Sequence, residues 1–305
     1  MDLESIVTVA NGAIFLGSIS MVYASWKLTH PGKGKNVIAV VPINGTISDK
    51  DYPGKVTSRR VIQSLEKLCK NPKVKGIIFD INSGGGSPYQ SREIAKYIKK
   101  KVNVPNVTVA RSICASGAYM IASATDYIFG EVDSSVGSVG VIGVHIAFGG
   151  MLEKLGIKYN VIKVGKHKDM HLPLKELTEE QESIMRSQAQ EMYNNFVDYV
   201  SMNRVATLKH NSSNIDYHSL RQHILNLATG ETYLANNAYK FGLIDGIGST
   251  DEAVAYLEDR GKFKHSGIYD VKSSSSPFSR FGMSIGISLG NSIAESVKAS
   301  LFDDY

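Results

Sequence analysis

The sequence predicts an α/β fold with parallel strands, preceded by a membrane helix, on three observations. Two runs, residues 37–43 (VIAVVPI) and 74–81 (VKGIIFDI), are apolar enough to be strands buried on both faces. The second enters a glycine turn, Gly84-Gly85-Gly86, followed by a helical stretch over about 89–101 and a strand over 106–110. Strand, helix, strand in that order makes a crossover between parallel strands. The third observation is that residues 5–26 carry no charge.

That uncharged run is long enough to span a bilayer, which takes about 20 residues. Tyr23 and Trp26 fall at the interface, with Lys27 just beyond. Asp2 and Glu4 at its front argue against a cleaved signal peptide, whose flank is basic. Thr8, Asn11, Ser18 and Ser20 keep a buried core helix as the alternative. Lys27, Lys33 and Lys35 favour a cytosolic body by the positive-inside tendency. The expected partition is an anchor over 1–30, a Pro/Gly/Lys linker over 31–35, a body over 36–262 and a tail over 263–305.

Further elements follow in order. Residues 58–70 have helical spacing, and 126–129 form a short strand. The run 134–143 alternates small and β-branched residues, as a closely packed strand does. A helix over 148–155 leads to a strand over 159–164, which ends in Gly165-Lys-His-Lys-Asp169. Thr178 and Gln181 make a capping box opening a long helix, with Ile184, Met185, Ala189, Met192, Phe196 and Val200 as its core stripe. A turn near 230, a short helix over 235–241, a closing strand at 243–244 and a helix over 252–258 complete the body. The tail has apolar residues at fourfold spacing and reads as an amphipathic helix, weakened by Gly282, Gly286 and Gly290.

Composition narrows the chemistry. In a chain of 305 residues, 43% of them hydrophobic, a core of one large or two smaller domains can be buried. The net charge of +5 lacks the basic run with interleaved aromatics that nucleic acid needs. Cys69 and Cys114 alone support neither a disulfide framework nor a cysteine zinc site. His167 and His171 stand four apart without an H-E-x-x-H pattern, and no nucleotide-binding glycine motif accompanies Gly84-Gly85-Gly86. No metal or other cofactor is implied.

Three stretches carry possible chemistry. In R-S-I-C-A-S-G-A-Y-M-I-A-S (111–123), Ser116 stands where a strand meets a helix. Unpaired N–H groups and the positive dipole end suit a nucleophile there, and equally an ordinary N-cap. The glycine turn can present N–H groups to a ligand or be a plain turn. The third stretch, Gly165 to Asp169, holds Lys168, with Lys163, Lys166 and Lys175 as rivals that spacing alone does not separate.

Together these resemble the signal peptide peptidase A family of membrane-bound serine proteases. The resemblance runs from about 37 to 256. It rests on D-I-N-S-G-G-G (80–86), C-A-S-G-A-Y-M-I-A-S (114–123), G-S-V-G-V-I (137–142), E-K-L-G-I-K-Y (153–159), G-K-H-K-D (165–169) and G-L-I-D-G-I-G (242–248). It implies a fold similar to the crotonase and caseinolytic-protease type, built of repeated ββα units. It also implies Ser116 as nucleophile, Lys168 as general base, Ser138 orienting that lysine, and Gly86 and Gly117 as oxyanion-hole N–H donors. Where the family commonly has N-S-P-G-G, Gly84 replaces the proline and loosens the turn.

A serine hydroxyl needs a base to become nucleophilic, and lysine serves only where burial disfavours its ammonium form. His145 is the competing base, in a Ser–His arrangement. The function implied is a membrane-anchored serine endopeptidase acting on short apolar peptides such as cleaved signal peptides, with a homo-oligomer as its assembly. The alternatives are a crotonase-type acyl-CoA enzyme, using the same N–H pair for an enolate, and a non-catalytic scaffold.

Overall fold

The computed structural model describes residues 36–211, 216–265 and 267–271. The expected anchor over 1–30, the linker over 31–35 and the helical tail past 271 lie outside them. Among the described residues no helix is long and apolar enough to cross a membrane.

The two buried runs are neighbouring parallel strands. β1 (Val37–Asn44) and β4 (Val74–Ser83) stay in register from Ile38↔Gly76 to Asn44↔Asn82. On the far side of β4 lies β5 (Asn106–Ala115), then β6 (Tyr127–Gly130) and β9 (Gly246–Ile247); β10 (Ile268–Asp270) flanks β1. Every pair along this path is parallel. A separate pair, β2 (Thr46–Ile47) with β3 (Lys55–Val56), bridges to Gly86 through Ile47. β10 falls inside the expected tail of 263–305, so the described body continues past 262.

Alternation along the strands divides the core. Ile38, Val40, Ile78, Val107 and Val109 face α8 (Thr250–Gly261) through its Ala253 and Leu257. Ala39, Val41, Ile43, Ile77, Phe79 and Ile81 face the opposite layer. That layer includes α1 (Ser58–Cys69), α2 (Pro88–Lys101) and α3 (Gly117–Ala122). Caps fix the helix starts: Ser87 before Pro88 at α2, and a Ser249/Glu252 capping box at α8. The Thr178/Gln181 box also forms, with both reciprocal bonds at 3.2 Å, and opens α5 (Glu179–Asn211). The expected helix over 148–155 is α4 (Gly149–Lys154); α6 (Tyr217–Leu227) packs against α5, and α7 (Ala235–Lys240) follows β8 (Thr232–Leu234).

Four expectations are corrected. Of the run 134–143 only β7 (Ser135–Gly137) is strand, because past Gly137 the chain turns away through Ser138 at φ 51°. The run 159–164 forms no strand: no described sheet edge lies beside it, and Ile162 and Val164 are 98% and 95% exposed. The stripe of α5 is core only from Phe196 onward, and Met192 is 51% exposed. The closing strand is β9 rather than 243–244, whose Leu243 and Ile244 are buried in a turn.

One buried ion pair joins α5 to this sheet edge. Arg204 and Asp245 are 0% and 1% exposed and pair at 2.7 and 2.8 Å. Arg204 also donates to the Gly242 carbonyl, and Asp245 accepts from Ile128 N–H at 2.8 Å. Removing one partner strands the other charge, so Arg204→Leu should lose about 3–5 kcal/mol in urea unfolding. The double variant Arg204→Leu/Asp245→Leu should lose less than the single one; a larger loss would show that packing, not charge, dominates.

Candidate active site

β5 has two successive partners on the side away from β4, within one sheet. Its first half pairs with β6, while Ile113, Cys114 and Ala115 pair with Ser135, Val136 and Gly137 of β7. Its carboxyl end therefore lies between the ends of β4 and β7, where ligands gather on parallel sheets. Ser116 follows at once, at φ 53°, ψ −124°, a conformation costly for a residue with a Cβ by about 1–3 kcal/mol. Its N–H donates to the Gly137 carbonyl at 2.8 Å, and its carbonyl accepts from Met120 N–H at 3.0 Å. Ser116 sits at the N-cap position of α3, yet its hydroxyl makes no capping bond. Ordinary capping is therefore not its role. Cys114, two residues earlier, is fully buried, and burial pushes its thiol well up.

The glycine turn presses on this junction. Gly85, at φ 93°, would bring a Cβ within 2.7 Å of Gly117 N and 2.9 Å of Ser116 Cβ. Gly86, at φ 144°, would bring one within 2.1 Å of the Ile47 carbonyl oxygen. Gly84 needs no such freedom, and the turn is held by other bonds. Gly85 N–H donates to Ser83 Oγ at 3.1 Å, Ile47 N–H to the Gly85 carbonyl at 2.9 Å, and Ser87 N–H to the Ile47 carbonyl at 2.9 Å. That pattern leaves out the Gly86 N–H. Gly117, first residue of α3, has no carbonyl one turn earlier for its own N–H. Gly86 and Gly117 thus line the recess together with Ser116.

A cleft with two lobes meets at Ser116. One, about 350 Å³, runs between α2, α3 and α5 over Met120, Met192 and Phe196, with Arg92 in its wall. The other, about 380 Å³, holds Ser138, Tyr193 and Gly230. Ser138 N–H donates to the Glu231 carbonyl at 2.6 Å. The structure thus brings Ser116, Ser138, Gly86 and Gly117 to one cleft. Its Arg92, Met192, Tyr193 and Gly230 had no signal in the sequence, where a helical stripe reads the same whether it faces core or cleft.

Lys168 and His145 line neither lobe. The ring of His145 is engaged through Nε2 with the Lys175 carbonyl at 2.9 Å. Lys168 is exposed in the turn after Gly165. The next residue, Asp169, is buried and anchors that turn: Lys163 at 2.8 Å, Lys175 at 2.6 Å and Gln181 Nε2 at 3.2 Å converge on its carboxylate. Lys166 pairs with Glu180 at 2.6 Å. Of the four lysines, only Lys168 has no ion pair among the described residues.

Comparison with known proteins places this cleft in a context. The model of peptidase family S49 matches residues 98–264, the span that holds Ser116, Ser138 and Lys168. A protein of Methanocaldococcus jannaschii named as a protease is 33% identical over 263 residues, 80% of this chain and 79% of its own length. One of Enterococcus faecium named as a signal peptide peptidase SppA is 29% identical over 297 residues, 94% of this chain and 81% of its own. Among solved structures, a mutant 1510-N membrane-bound stomatin-specific protease in complex with a substrate peptide covers 83% of this chain at 13% identity, with a TM-score of 0.47.

The Asp169 cluster yields a pH prediction. Its lysine partners hold the Asp169 carboxyl well below the ordinary carboxylate range. A depressed folded pKa means stabilisation that is present above the unfolded value of 3.8 and lost as pH falls through the folded one. Relative to the intrinsic amide rate at each pH, hydrogen exchange at 163–175 should therefore be slow at neutral pH and quicken only below about pH 4. Asp169→Asn should show the quickened exchange already at pH 7; unchanged exchange there would assign the order of this turn to other contacts.

Proposed function

We propose, on the premise that the chain belongs to peptidase family S49 and is a serine peptidase of the signal peptide peptidase A family, that Ser116 and Lys168 act as a Ser–Lys dyad on short apolar peptides, cleaved signal peptides among them. One observation carries this reading. Ser116 is held in a strained backbone conformation at the meeting point of two cleft lobes, uncapped, with Gly86 and Gly117 lining the same lobe. Backbone strain at such a point is a mark of function.

The chemistry follows from these parts. Neutral Lys168 Nζ takes the proton of Ser116 Oγ as that oxygen attacks the scissile carbonyl. The oxyanion receives hydrogen bonds from Gly86 and Gly117, worth most where water is excluded. Collapse breaks the C–N bond, and the lysine ammonium returns the proton to the leaving amine. Water, deprotonated by the same lysine, then hydrolyses the acyl ester and frees the serine. Ser138 sits on the same cleft to orient the lysine.

Lysine 168 suits the role of base because Lys163, Lys166 and Lys175 are held by carboxylates and it is not. What it needs in addition is desolvation and closeness to Ser116. A homo-oligomer supplies both in this reading: the exposed side chains of Ile157, Tyr159, Val161, Ile162 and Val164 lead into the lysine turn, and exposed apolar surface of that kind marks a protein–protein contact. The finer fold reading is the crotonase and caseinolytic-protease type, which the pairing of β5 first with β6 and then with β7 supports. The anchor over 1–30, the linker over 31–35 and a protease domain from 36 complete the proposal, with the membrane side of the site open. Alkaline carbonate should leave the full-length chain in the membrane pellet, and its release would remove the anchor from the reading.

The dyad has a direct test. A fluorophosphonate should label Ser116, located by mass mapping, and Ser116→Ala should abolish hydrolysis of an apolar peptide. Lys168→Arg should be as damaging as Lys168→Ala, since guanidinium stays protonated. His145→Gln should stay within about tenfold, or about 1.4 kcal/mol of barrier. Mixing Ser116→Ala with Lys168→Ala protein should restore part of the activity if the two groups come from different subunits. An active Lys168→Arg enzyme beside a dead His145→Gln one would overturn the dyad.

A further inference from the structure

The lobe over Met120, Met192 and Phe196 is lined mainly by apolar side chains and backbone, with Tyr89, Ser116 and Asn195 as uncharged polar groups. Arg92, on the first turns of α2, is the one charged side chain among the described residues lining it. Its guanidinium is fixed from two sides by α5. Nη2 donates to the Asn195 carbonyl at 3.2 Å, and the Tyr199 ring lies 5.4 Å away under Cζ in a cation–π contact. Neither contact neutralises it. The acids nearest in sequence on the two helices are engaged elsewhere: Glu93 with Lys96 at 3.4 Å and Asp198 with Arg221 at 2.6 Å. Among the described residues Arg92 has no ion pair, and of five N–H donors one is used within the chain.

A cation held in place at the wall of an apolar recess, with donors to spare, fits one kind of group. A planar carboxylate can take two parallel N–H bonds from a guanidinium, while an apolar stem packs along methionine and phenylalanine. An empty lobe leaves the charge to water. A purely apolar side chain filling it would strip that water and give nothing back, at a cost. We infer that Arg92 is a specificity-determining residue, selecting peptides that bring a carboxylate into the lobe beside Ser116. This rests on the peptidase reading and narrows its apolar substrates to those with one anionic group near the scissile bond. The carboxylate has two possible sources, an acidic side chain or the free end of the peptide chain, and the assay separates them.

The test uses quenched fluorogenic peptides differing in one residue next to the scissile bond, Glu, Gln or Lys, each made with a free C-terminal carboxylate and with an amide. The readout is the ratio of kcat/KM within each pair, which cancels any general loss of activity in a variant. The wild type should favour the anionic member by about tenfold or more, the factor one charge-assisted hydrogen bond supplies. A Glu-over-Gln preference assigns the side chain, and an acid-over-amide preference assigns the chain end. In Arg92→Gln that preference should fall to near one, in Arg92→Lys it should persist in part, and in Arg92→Glu it should turn toward the lysine peptide. If Arg92→Gln and wild type cleave with the same charge ratios, Arg92 has no such role and the peptidase reading still stands. If wild type cleaves none of the peptides, both fail.

Discussion

The close packing of Gly85 on the Ser116–Gly117 backbone is the constraint on which the site depends. A gap of 2.7 Å from an imagined Cβ to Gly117 N leaves room for hydrogen alone. The turn after β4 and the junction after β5 are therefore one unit, and their separate conformations are set jointly. Gly137, at the end of β7, completes it from the other side by accepting the Ser116 N–H. Three parallel strands end at one point, and their ends hold a serine in a backbone shape it does not choose on its own. The strain is borne jointly by the turn after β4 and by the hydrogen bond from Ser116 N–H to the end of β7.

What the sequence made legible follows from which forces are local. Buried parallel strands announce themselves by continuous apolar runs, and both 37–43 and 74–81 were readable for that reason. Capping boxes are equally local, so Thr178 and Gln181 located the start of α5 to the residue. The strain at Ser116 was not readable, because it comes from Gly85 and Gly137, residues distant in sequence. Nor was the cleft wall. Met192 and Phe196 sit four apart on one helical stripe, yet the first is half exposed in the cleft and the second is core. Periodicity gives the face of a helix and is silent on what lies opposite.

The misread run 159–164 has a related cause. Its β-branched residues suit a strand, but a strand needs an edge to pair with, and among the described residues none is offered. Local preference survives as exposed isoleucine and valine. The adjoining turn is ordered by other means: a buried carboxylate, Asp169, drawing in two lysines and a glutamine. Apolar surface and polar anchor lie side by side. The result is a segment fixed at one end and uncovered along its length.

The proposed nucleophile and base are thus held by different physics. Ser116 is fixed by backbone geometry within the sheet, which changes only if the sheet itself opens. Lys168 rides on a turn tied by charge pairs at its border, and its own ammonium has no ion pair among the described residues. A base must lose its water to work, and water is lost by covering the turn, not by rearranging the sheet. The part of the site that must be prebuilt is therefore prebuilt, while the part whose protonation must change is left where a second surface can cover it. In the dyad proposed above, the serine hydroxyl stays unassisted until that covering occurs, and an unassembled chain would not cleave.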